Sequence, residues 1–590
     1  MKKITKFLSL GLCCCAAACS NPSQKASDPD FTDSVSEALA ADGKIDFANA
    51  TQENFAELLM VNTEDIAEIE VLKDAASCAI WGSRGANGVI KIKTKRGKRG
   101  PTRVNFTYKF KDKWTPSGLN LLNGDDYTML IKQALFNRNQ VASDADIPEL
   151  NYDKTFPEYE NFNNNTDWVD AVSKHGYRNE YSVNISGGGE KATFRISGSY
   201  ADETFQVIGQ NSQSVTSRLA LDYYVSQRIK VIADFSFSYT HLRRNTEGLL
   251  YNAQIMMPNM SIYAQDSLGN STDRYYAMLK YAEGNDLEKK MQGRKNPIAV
   301  GDLAQYHTEN YSINPMITFE YSLLGLEDNE TQLKYRGMVN LNASTYSGNY
   351  YTPASLFTNE WTSTDKNRSK AEDSKSLGFT TRHQLILTPY LGSSDHYMTM
   401  NAQFELSTGS GNSQNSTATG LPTGNISSST VGAFLIGSGT NKWESRNISF
   451  VFDAHYSYKS KYSLRLAVRG EGNTAMGDDQ KWAAYPSISA RWNIIDESWM
   501  EWAKPYLSML SLRPGFGMDG HAPGSNATFN TYSDFGKSYL GMAGFQMDGI
   551  RLTNLRRSDK REWNVGSDFG FFDGLLTGAF NYYHGTTYDN

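Results

Sequence analysis

Three glycines at three-residue intervals, Gly82, Gly85 and Gly88, are the first feature of the sequence whose spacing suggests a binding chemistry. A glycine-rich loop holds phosphate when it connects a strand to the helix that follows it. Here the order is reversed, because residues 66–72 read as a strand, residues 75–81 as a short helix, and the glycines come after that helix. We interpret Gly82 as a helix C-terminal cap and the other two as tight turns, and not as a phosphate site.

No other combination of side chains has the spacing of a catalytic or metal site. The eight histidines are scattered, with no pair at metal-ligand spacing, and no metalloprotease, nucleophile-elbow or P-loop motif is present. Carboxylates are plentiful, so counting alone leaves a glycosidase pair open, but carboxylates on loops or on a water-filled face are the favoured interpretation. We therefore expect a protein without enzyme activity, metal or cofactor.

Two further groups are candidates for contact with a ligand. Arg469, Glu471 and Asn473 lie in the stretch "RGEGN", at the end of a predicted strand, where they would face solvent or ligand. Four aromatic residues of one predicted long loop would either stack on a sugar or pack the loop itself. They are Tyr346, Tyr350, Tyr351 and Trp361.

The elements that must position these residues follow from a strict alternation of polar and apolar side chains after residue 102. In residues 103–111, for example, Val104, Phe106 and Tyr108 point to one face, and polar or charged residues point to the other. Segments of this kind run for about nine to twelve residues, roughly twice the usual length of strands in soluble proteins. They include 103–111, 192–200, 230–240, 398–406, 448–458 and 462–468.

This pattern predicts strands that cross a membrane, since roughly ten residues are enough for a tilted strand to span a bilayer. The apolar face is rich in Phe and Tyr, and the other face carries the Arg, Lys, Asp and Thr of a wet lumen. Tight turns alternate with long polar connections at 241–309, 346–375 and 407–445, where the low-complexity stretch 407–430 is expected to be mobile. We predict an all-β fold, a transmembrane antiparallel β-barrel of about fifteen or sixteen strands with long extracellular loops, in preference to a soluble sandwich or propeller.

The N-terminus has the composition of an export signal. Residues 1–19 combine a basic start with a short apolar core that leads into "AAACSN". Either Cys19 is acylated, as in a bacterial lipoprotein, or an ordinary signal peptide is cut nearby, and both alternatives stay open. Only Cys78 of the five cysteines then remains, so no disulfide framework is expected. Residues 20–60 are polar and weakly patterned and are predicted to be a flexible lead, and the nearly balanced net charge of −6 argues against binding to nucleic acid.

The stretch "NTEDIAEIEVLKDAASCAIWGSRGANGVIKIKTKRG", at 62–97, strongly resembles the end of the plug domain in SusC/RagA-type TonB-dependent outer-membrane transporters. Barrel segments resemble the same family in the expected order, and the resemblance covers roughly residues 61–590. These segments are 296–300, 485–500, 510–520 and 562–583.

The resemblance implies a plug inside a barrel of about 22 strands in the cell outer membrane, in contact with outer-membrane lipids. It also implies TonB-dependent import of oligosaccharides or other nutrients, glycan or peptide, together with a SusD-like surface lipoprotein. Six residues would have a structural role in the plug: Asp74, Gly82, Arg84, Gly85, Asn87 and Gly88.

The sequence also departs from that family. Residues 61–100 correspond to only the C-terminal part of a plug with its α/β character, and residues 101–590 to a partial barrel, about six strands short of about 22. Residues 20–39 contain no convincing TonB box, so the TonB complex as a partner rests on the resemblance alone. We expect a truncated form of the transporter. The alternative is a surface-attached β-rich lipoprotein that binds glycans without transport.

Overall fold

The computed structural model describes the chain between residues 63 and 588. Within that range, the residues not described are 73–74, 86–87, 116–117, 119, 141–146, 245–247, 277–293, 328, 357–366, 422–433, 522–527, 529 and 540–541. The predicted signal peptide at 1–19, with Cys19, and the predicted lead at 20–60 lie outside the described residues.

Residues 63–97, here called the plug segment, form a small α/β unit. Its frame is an antiparallel hairpin of β1 (Ile66–Leu72) and β2 (Val89–Thr94). Between these strands, helix α1 (Ala75–Cys78) continues into a 3-10 turn (Ala79–Gly85). The hairpin therefore has a tip, made by α1 and the turn, and a base, made by the residues on either side of the two strands.

Nineteen further strands are described after the plug segment. They are β3 (Gly100–Lys113), β4 (Gly176–Gly188), β5 (Ala192–Thr204), β6 (Asn211–Tyr224), β7 (Ile229–Arg243), β8 (Tyr263–Gln265), β9 (Ser271–Tyr275), β10 (Gln305–Leu324), β11 (Gln332–Thr352), β12 (Arg368–Thr388), β13 (His396–Thr419), β14 (Phe434–Tyr458), β15 (Tyr462–Asn473), β16 (Trp482–Asn493), β17 (Leu507–His521), β18 (Thr531–Tyr539), β19 (Met542–Gly549), β20 (Ser558–Phe571) and β21 (Leu576–Tyr588). Fifteen of them form one sheet in which neighbours in the chain pair antiparallel. β10 pairs with β7 and β20 with β17, because β8–β9 and β18–β19 form separate hairpins.

The two faces of this sheet invert the burial pattern of a soluble protein. Along β4, Glu180, Ser182 and Asn184 are buried, whereas Tyr181 and Val183 between them are 42% and 41% exposed. The polar face lies toward the plug segment and the apolar face points outward, as in a barrel whose outer surface contacts lipid. The predicted all-β, transmembrane antiparallel fold is therefore confirmed, with fifteen strands in the main sheet and β3 and β21 as its edges among the described residues. None of the described helices is both long and apolar enough to span a bilayer.

Several strands are longer than the alternation predicts. β10 to β14 run for 20 to 25 residues, because backbone pairing continues past the apolar band into polar sequence. The expectation of a mobile loop is wrong for residues 407–419, which pair with residues 434–447 of β14. Ladder hydrogen bonds depend on the backbone, so a Gly/Ser/Thr stretch can pair without showing alternation. The long connections are correspondingly shorter than predicted and run over 244–304, 353–367 and 420–433.

The connections from β3 to β4 and from β7 to β10 pack on each other beyond one end of the sheet. Their helices are α2 (Gly124–Asn139), α3 (Tyr159–Phe162), α4 (Trp168–Val172), α5 (Leu249–Gln254) and α6 (Pro297–Leu303). Their shared core is apolar and includes Trp168, whose indole N–H donates to the carbonyl oxygen of Met257 at 2.9 Å. This part of the molecule is therefore packed like an ordinary soluble domain.

Candidate functional site

The tip of the plug segment has a backbone that suits only glycine. Gly82 has φ +60° and ψ −137°, a region that side-chain-bearing residues rarely adopt. A Cβ at this position would lie 2.0 Å from Oε2 of Glu471. At Gly85 a Cβ would lie 2.6 Å from the carbonyl oxygen of Cys78, and the N–H of Gly88 donates to the Gly85 carbonyl at 2.9 Å. The three glycines thus shape a tip that approaches the sheet closely.

Glu471 of β15 receives this tip. The side chain is fully buried and accepts hydrogen bonds from the backbone N–H of Ser83, at 3.2 Å, and from the Ser83 hydroxyl. Asn447 Nδ2 donates to the same carboxylate at 2.6 Å, and Arg469 Nε does so at 3.1 Å. Arg469 also donates to the carbonyl oxygen of Ile80 at 3.1 Å. The fifteen-stranded sheet, here called the wall, therefore binds both the backbone N–H and the hydroxyl of Ser83 with one carboxylate.

Glu405 of β13 binds the neighbouring plug residue, Arg84. It is 1% exposed and contacts three guanidinium groups: that of Arg84, that of Arg382 at 2.7 Å and that of Arg469 at 3.7 Å. Arg84 belongs to the plug segment, and the other two arginines belong to β12 and β15. We call these contacts the tip cluster, which comprises Ser83, Arg84, Arg382, Glu405, Arg469 and Glu471.

The base of the plug segment is bound by β5. Asp65 is 2% exposed and accepts hydrogen bonds from Arg195 Nε at 3.0 Å and Arg195 Nη2 at 2.9 Å. The hydroxyl of Ser197 donates to the same carboxylate. Beside it, a hydrogen bond from Lys109 lowers the pKa of the Glu64 carboxyl below its ordinary value. Here the plug segment supplies the carboxylate and the wall supplies the cations, the reverse of the Arg84 contact.

Arg96 fastens the other side of the base. Its guanidinium lies 2.7 Å from the carboxylate of Asp222 and 3.3 Å from that of Asp234. Arg218 of β6 donates to Asp234 at 2.9 Å and to the carbonyl oxygen of Lys95 at 3.4 Å. The base cluster is defined as Asp65, Arg96, Arg195, Arg218, Asp222 and Asp234.

The chemistry of both clusters is hydrogen bonding and ion pairing. The Ser83 hydroxyl donates to a carboxylate, and no described group of three or more His, Cys, Asp or Glu residues is arranged to hold a metal ion. A buried ion pair adds little net stability, but removing one partner costs about 3–5 kcal/mol. Such contacts, here called the seats of the plug segment, therefore fix its position without the large net binding energy of an apolar interface.

The candidate tyrosines lie in strand β11, and the predicted loop position is wrong because that strand continues to Thr352. Tyr346 and Tyr350 are on its inner face, and the Tyr346 hydroxyl lies 3.4 Å from that of Tyr306. Tyr351 is 4% exposed and donates to the side chain of Asn367 at 3.0 Å. The other predicted site residues that lie outside the described residues are Asp74, Asn87 and Trp361.

The sequence does not predict that residues of the sheet bind the plug segment in the two clusters. Alternation places Arg469 and Glu471 at a strand end facing solvent or ligand, but they are 2% and 0% exposed and face the plug segment. The one feature of the sequence that points to these two residues is that they are charged and occupy inward positions of an alternating strand. This feature shows which face of the sheet they lie on, but not which plug residue they contact.

Comparisons with known proteins agree with this architecture. The chain is 24% identical to TonB-dependent receptor P3 of Formosa agariphila over 561 residues, which is 90% of this chain and 50% of that protein. It is also 24% identical to TonB-dependent receptor SusC of Bacteroides thetaiotaomicron, over 90% of this chain and 51% of that protein. The structure of the RagAB peptide transporter superimposes with a TM-score of 0.71 at 18% identity, over 91% of this chain and 60% of that one. No family model matches the sequence.

These proteins are receptors and transporters and not enzymes. The chain spans about half the length of the curated relatives it matches. Over 90% of its length the chain is therefore similar in sequence to TonB-dependent receptors, SusC among them, and it has the fold seen in the RagAB peptide transporter structure.

Proposed function

We propose that this chain forms the plug seat and wall of a TonB-dependent importer in the cell outer membrane, acting on oligosaccharides or peptides. The observation that supports this is the attachment of the plug segment to the inner face by two buried polar clusters. A plug that blocks a lumen must be held in one position and must also be released. Hydrogen bonds and ion pairs meet both needs, because water can replace each of them when the plug moves.

The same proposal assigns the remaining parts of the chain. The outward apolar side chains contact outer-membrane lipids, and Tyr346 and Tyr350 contact substrate from the inner face. The helices beyond the sheet bind a SusD-like surface lipoprotein, and exposed apolar residues on α2, such as Met129 at 68% and Leu130 at 54%, support a covered surface there. The TonB complex supplies the energy for plug movement.

The direct test is uptake by the source cells of fluorescent malto-oligosaccharides and, separately, of a labelled casein digest. We expect deletion of the gene to abolish uptake of one of the two classes and a protonophore to abolish the same uptake in wild-type cells. Tyr346→Ala should lower that uptake, and Tyr177→Ala, on the outer face, is the matched control. Unchanged uptake of both classes after deletion would overturn the proposal.

The second candidate, a surface lipoprotein that holds glycans without moving them, is favoured by the cysteine that ends the export signal. It predicts that Cys19→Ser abolishes labelling of the chain by a fatty-acid analogue. It also predicts binding of malto-oligosaccharides to intact cells without any label inside them. A heat-modifiable band in the outer-membrane fraction, without acyl labelling, favours the importer.

A further inference from the structure

Two histidines meet on the outer face of the sheet, at neighbouring strands β7 and β10. Nε2 of His241 lies 3.4 Å from Nδ1 of His307, and the two ring centroids are 5.5 Å apart. The strand register pairs His241 with Glu309 and His307 with Arg243, so the two histidines are diagonal neighbours. They are separated by 66 positions in the chain, which is why sequence spacing does not reveal the pair.

The pair lies above the apolar band of the outer face. Tyr239 and Tyr311 face each other in the preceding register position, with ring centroids 4.7 Å apart and ring planes tilted by 34°, and Ile313 beyond them is 41% exposed. The long connection 244–304 leaves the sheet immediately after these strands' paired ends. The side chain of His241 is 31% exposed, so ions in solution can reach the pair.

The distance between the nitrogens also suits a shared metal ion. A direct N–H donor usually lies about 2.7–3.2 Å from its acceptor, so the contact of 3.4 Å between the two rings is a long hydrogen bond. Zinc binds imidazole nitrogen at about 2.0–2.1 Å, and two such ligands at a tetrahedral angle are about 3.3–3.4 Å apart. The observed separation therefore matches two nitrogens on one metal ion.

Glu309 lies next to the other ring nitrogen of His241, the one that does not face His307. Its Oε1 lies 3.4 Å from Nδ1 of His241, on the opposite side of the ring from His307. Metal-binding histidines usually donate their second N–H to a carboxylate, which fixes the tautomer and leaves the other nitrogen free to bind the metal. Arg243 acts in the opposite sense, because its positive charge lies across from His307 and repels a cation.

We propose that His241 and His307 form a binding site for a divalent transition-metal ion, with Glu309 as a positioning residue. Neutral imidazole suits Cu²⁺, Ni²⁺ and Zn²⁺, and the general order of affinities makes Cu²⁺ the tightest of the three. Two protein nitrogens leave coordination positions open, which agrees with the lack of a third converging ligand among the described residues. The site is independent of substrate import.

The test uses the full chain in detergent, titrated with CuCl₂ and ZnCl₂ in separate calorimetric experiments. We expect one ion per chain, a Cu²⁺ electron paramagnetic resonance spectrum with coupling to two nitrogens, and at least tenfold weaker binding for His241→Ala and for His307→Ala. The matched control is His383→Ala, since His383 contacts the Tyr335 hydroxyl at 2.7 Å in place of a second histidine. The proposal would be overturned if the double variant His241→Ala/His307→Ala bound the ions as tightly as the wild-type chain. It would also be overturned if His383→Ala weakened binding as much as the two single variants do.

Two charge variants sharpen the assignment. Glu309→Gln is expected to weaken binding about tenfold, the lower end of the range for carboxylates that orient a ligand. Arg243→Gln should strengthen it several-fold, a change that no loss of folding can produce. If the histidine variants fail to fold, Zn²⁺ should protect His241 and His307 of the wild-type chain from diethyl pyrocarbonate. Unaltered modification of both residues in saturating Zn²⁺ would contradict the proposal.

Discussion

The tip cluster and the base cluster hold the same plug segment by different means. At the tip, Glu471 binds the backbone of Ser83 and leaves no space for a Cβ at Gly82. At the base, Asp65 and Arg96 reach the sheet through their side chains, and Arg218 also donates to the backbone carbonyl oxygen of Lys95. Both seats therefore combine charge with backbone contacts, but at the tip a glycine of positive φ lies directly against a buried carboxylate.

The two clusters also belong to distant parts of the sheet. The tip is bound by side chains of β12 to β15 and also packs on β16, β17 and β20, whereas the base lies against β5 to β7, with the β1–β2 hairpin between them. The base of the hairpin is closed by the N–H of Lys95, which donates to the carbonyl oxygen of Asp65 at 2.7 Å. Because few contacts link the two seats, we expect each to open locally without the other, which amide hydrogen exchange measures peptide by peptide.

The largest effect is expected from Glu405→Ala, which removes the carboxylate that three arginines share. Breaking such a buried network should lower the free energy of opening at the tip by about 3–5 kcal/mol. Hydrogen exchange with mass spectrometry, on the full chain in detergent, should show the loss in residues 75–85 and little change in residues 66–72. The control is Glu444→Ala, an exposed glutamate paired with Lys442 at 3.6 Å. An equal loss at both ends would mean that the plug segment opens as one unit.

The second effect isolates backbone shape at the tip. Gly82→Ala and Gly248→Ala introduce the same methyl group at φ +60° and φ +58°, but only the first meets other atoms within 4 Å. The left-handed conformation alone costs roughly 1–2 kcal/mol, which is the expected loss at Gly248. Gly82→Ala must also displace Glu471, and Gly82 has ψ −137° where Gly248 has ψ +63°, a conformation that costs alanine more, so the loss at the tip should be clearly larger. Equal losses in stability would mean that the close approach at Gly82 has no energetic consequence.

The sheet was the predictable part of this fold, because alternation needs only neighbouring residues. Every second residue of β4, and every second residue of β15 except Ala467, is polar, and this shows both the strand and its water-facing side. The full length of β13 was not predictable, since residues 407–419 pair through the backbone and have no alternating apolar positions, Ala418 being their one apolar side chain.

The site was half predictable, for a related reason. The glycines and Arg84 lie together in one stretch, and they can be identified from the preference of glycine for turns or from the resemblance of that stretch to a plug domain. Their partners on the sheet cannot be found in this way, because Ser83 and Glu471 are 388 positions apart and only the fold of the sheet around the plug segment brings them together. A single sequence contains no record of that distance.

The third effect tests charge alone at the base. Asp65→Asn keeps the size of the side chain but removes its charge from the hydrogen bonds with Arg195. Hydrogen bonds to charged groups contribute about 1.5–3 kcal/mol, so the loss of protection should fall in that range, confined to residues 66–72 and 89–94. Asp112→Asn is the control, because Asp112 is half exposed. Loss of protection at residues 75–85 as well would show that the two seats are coupled.

The smallest effect on protection from hydrogen exchange is expected from a substitution in the β1–β2 hairpin, which lies between the two seats. Lys91 and Glu70 form an ion pair at 3.6 Å, with side chains 27% and 51% exposed. Exposed pairs contribute about 0–1 kcal/mol and are screened by salt, so Glu70→Gln should change protection of β1 very little, and not at all in high salt. If Glu70→Gln opened the hairpin as much as Asp65→Asn does, burial would not be what makes the seats stronger than an exposed ion pair. Any charge on the plug segment would then hold it equally well.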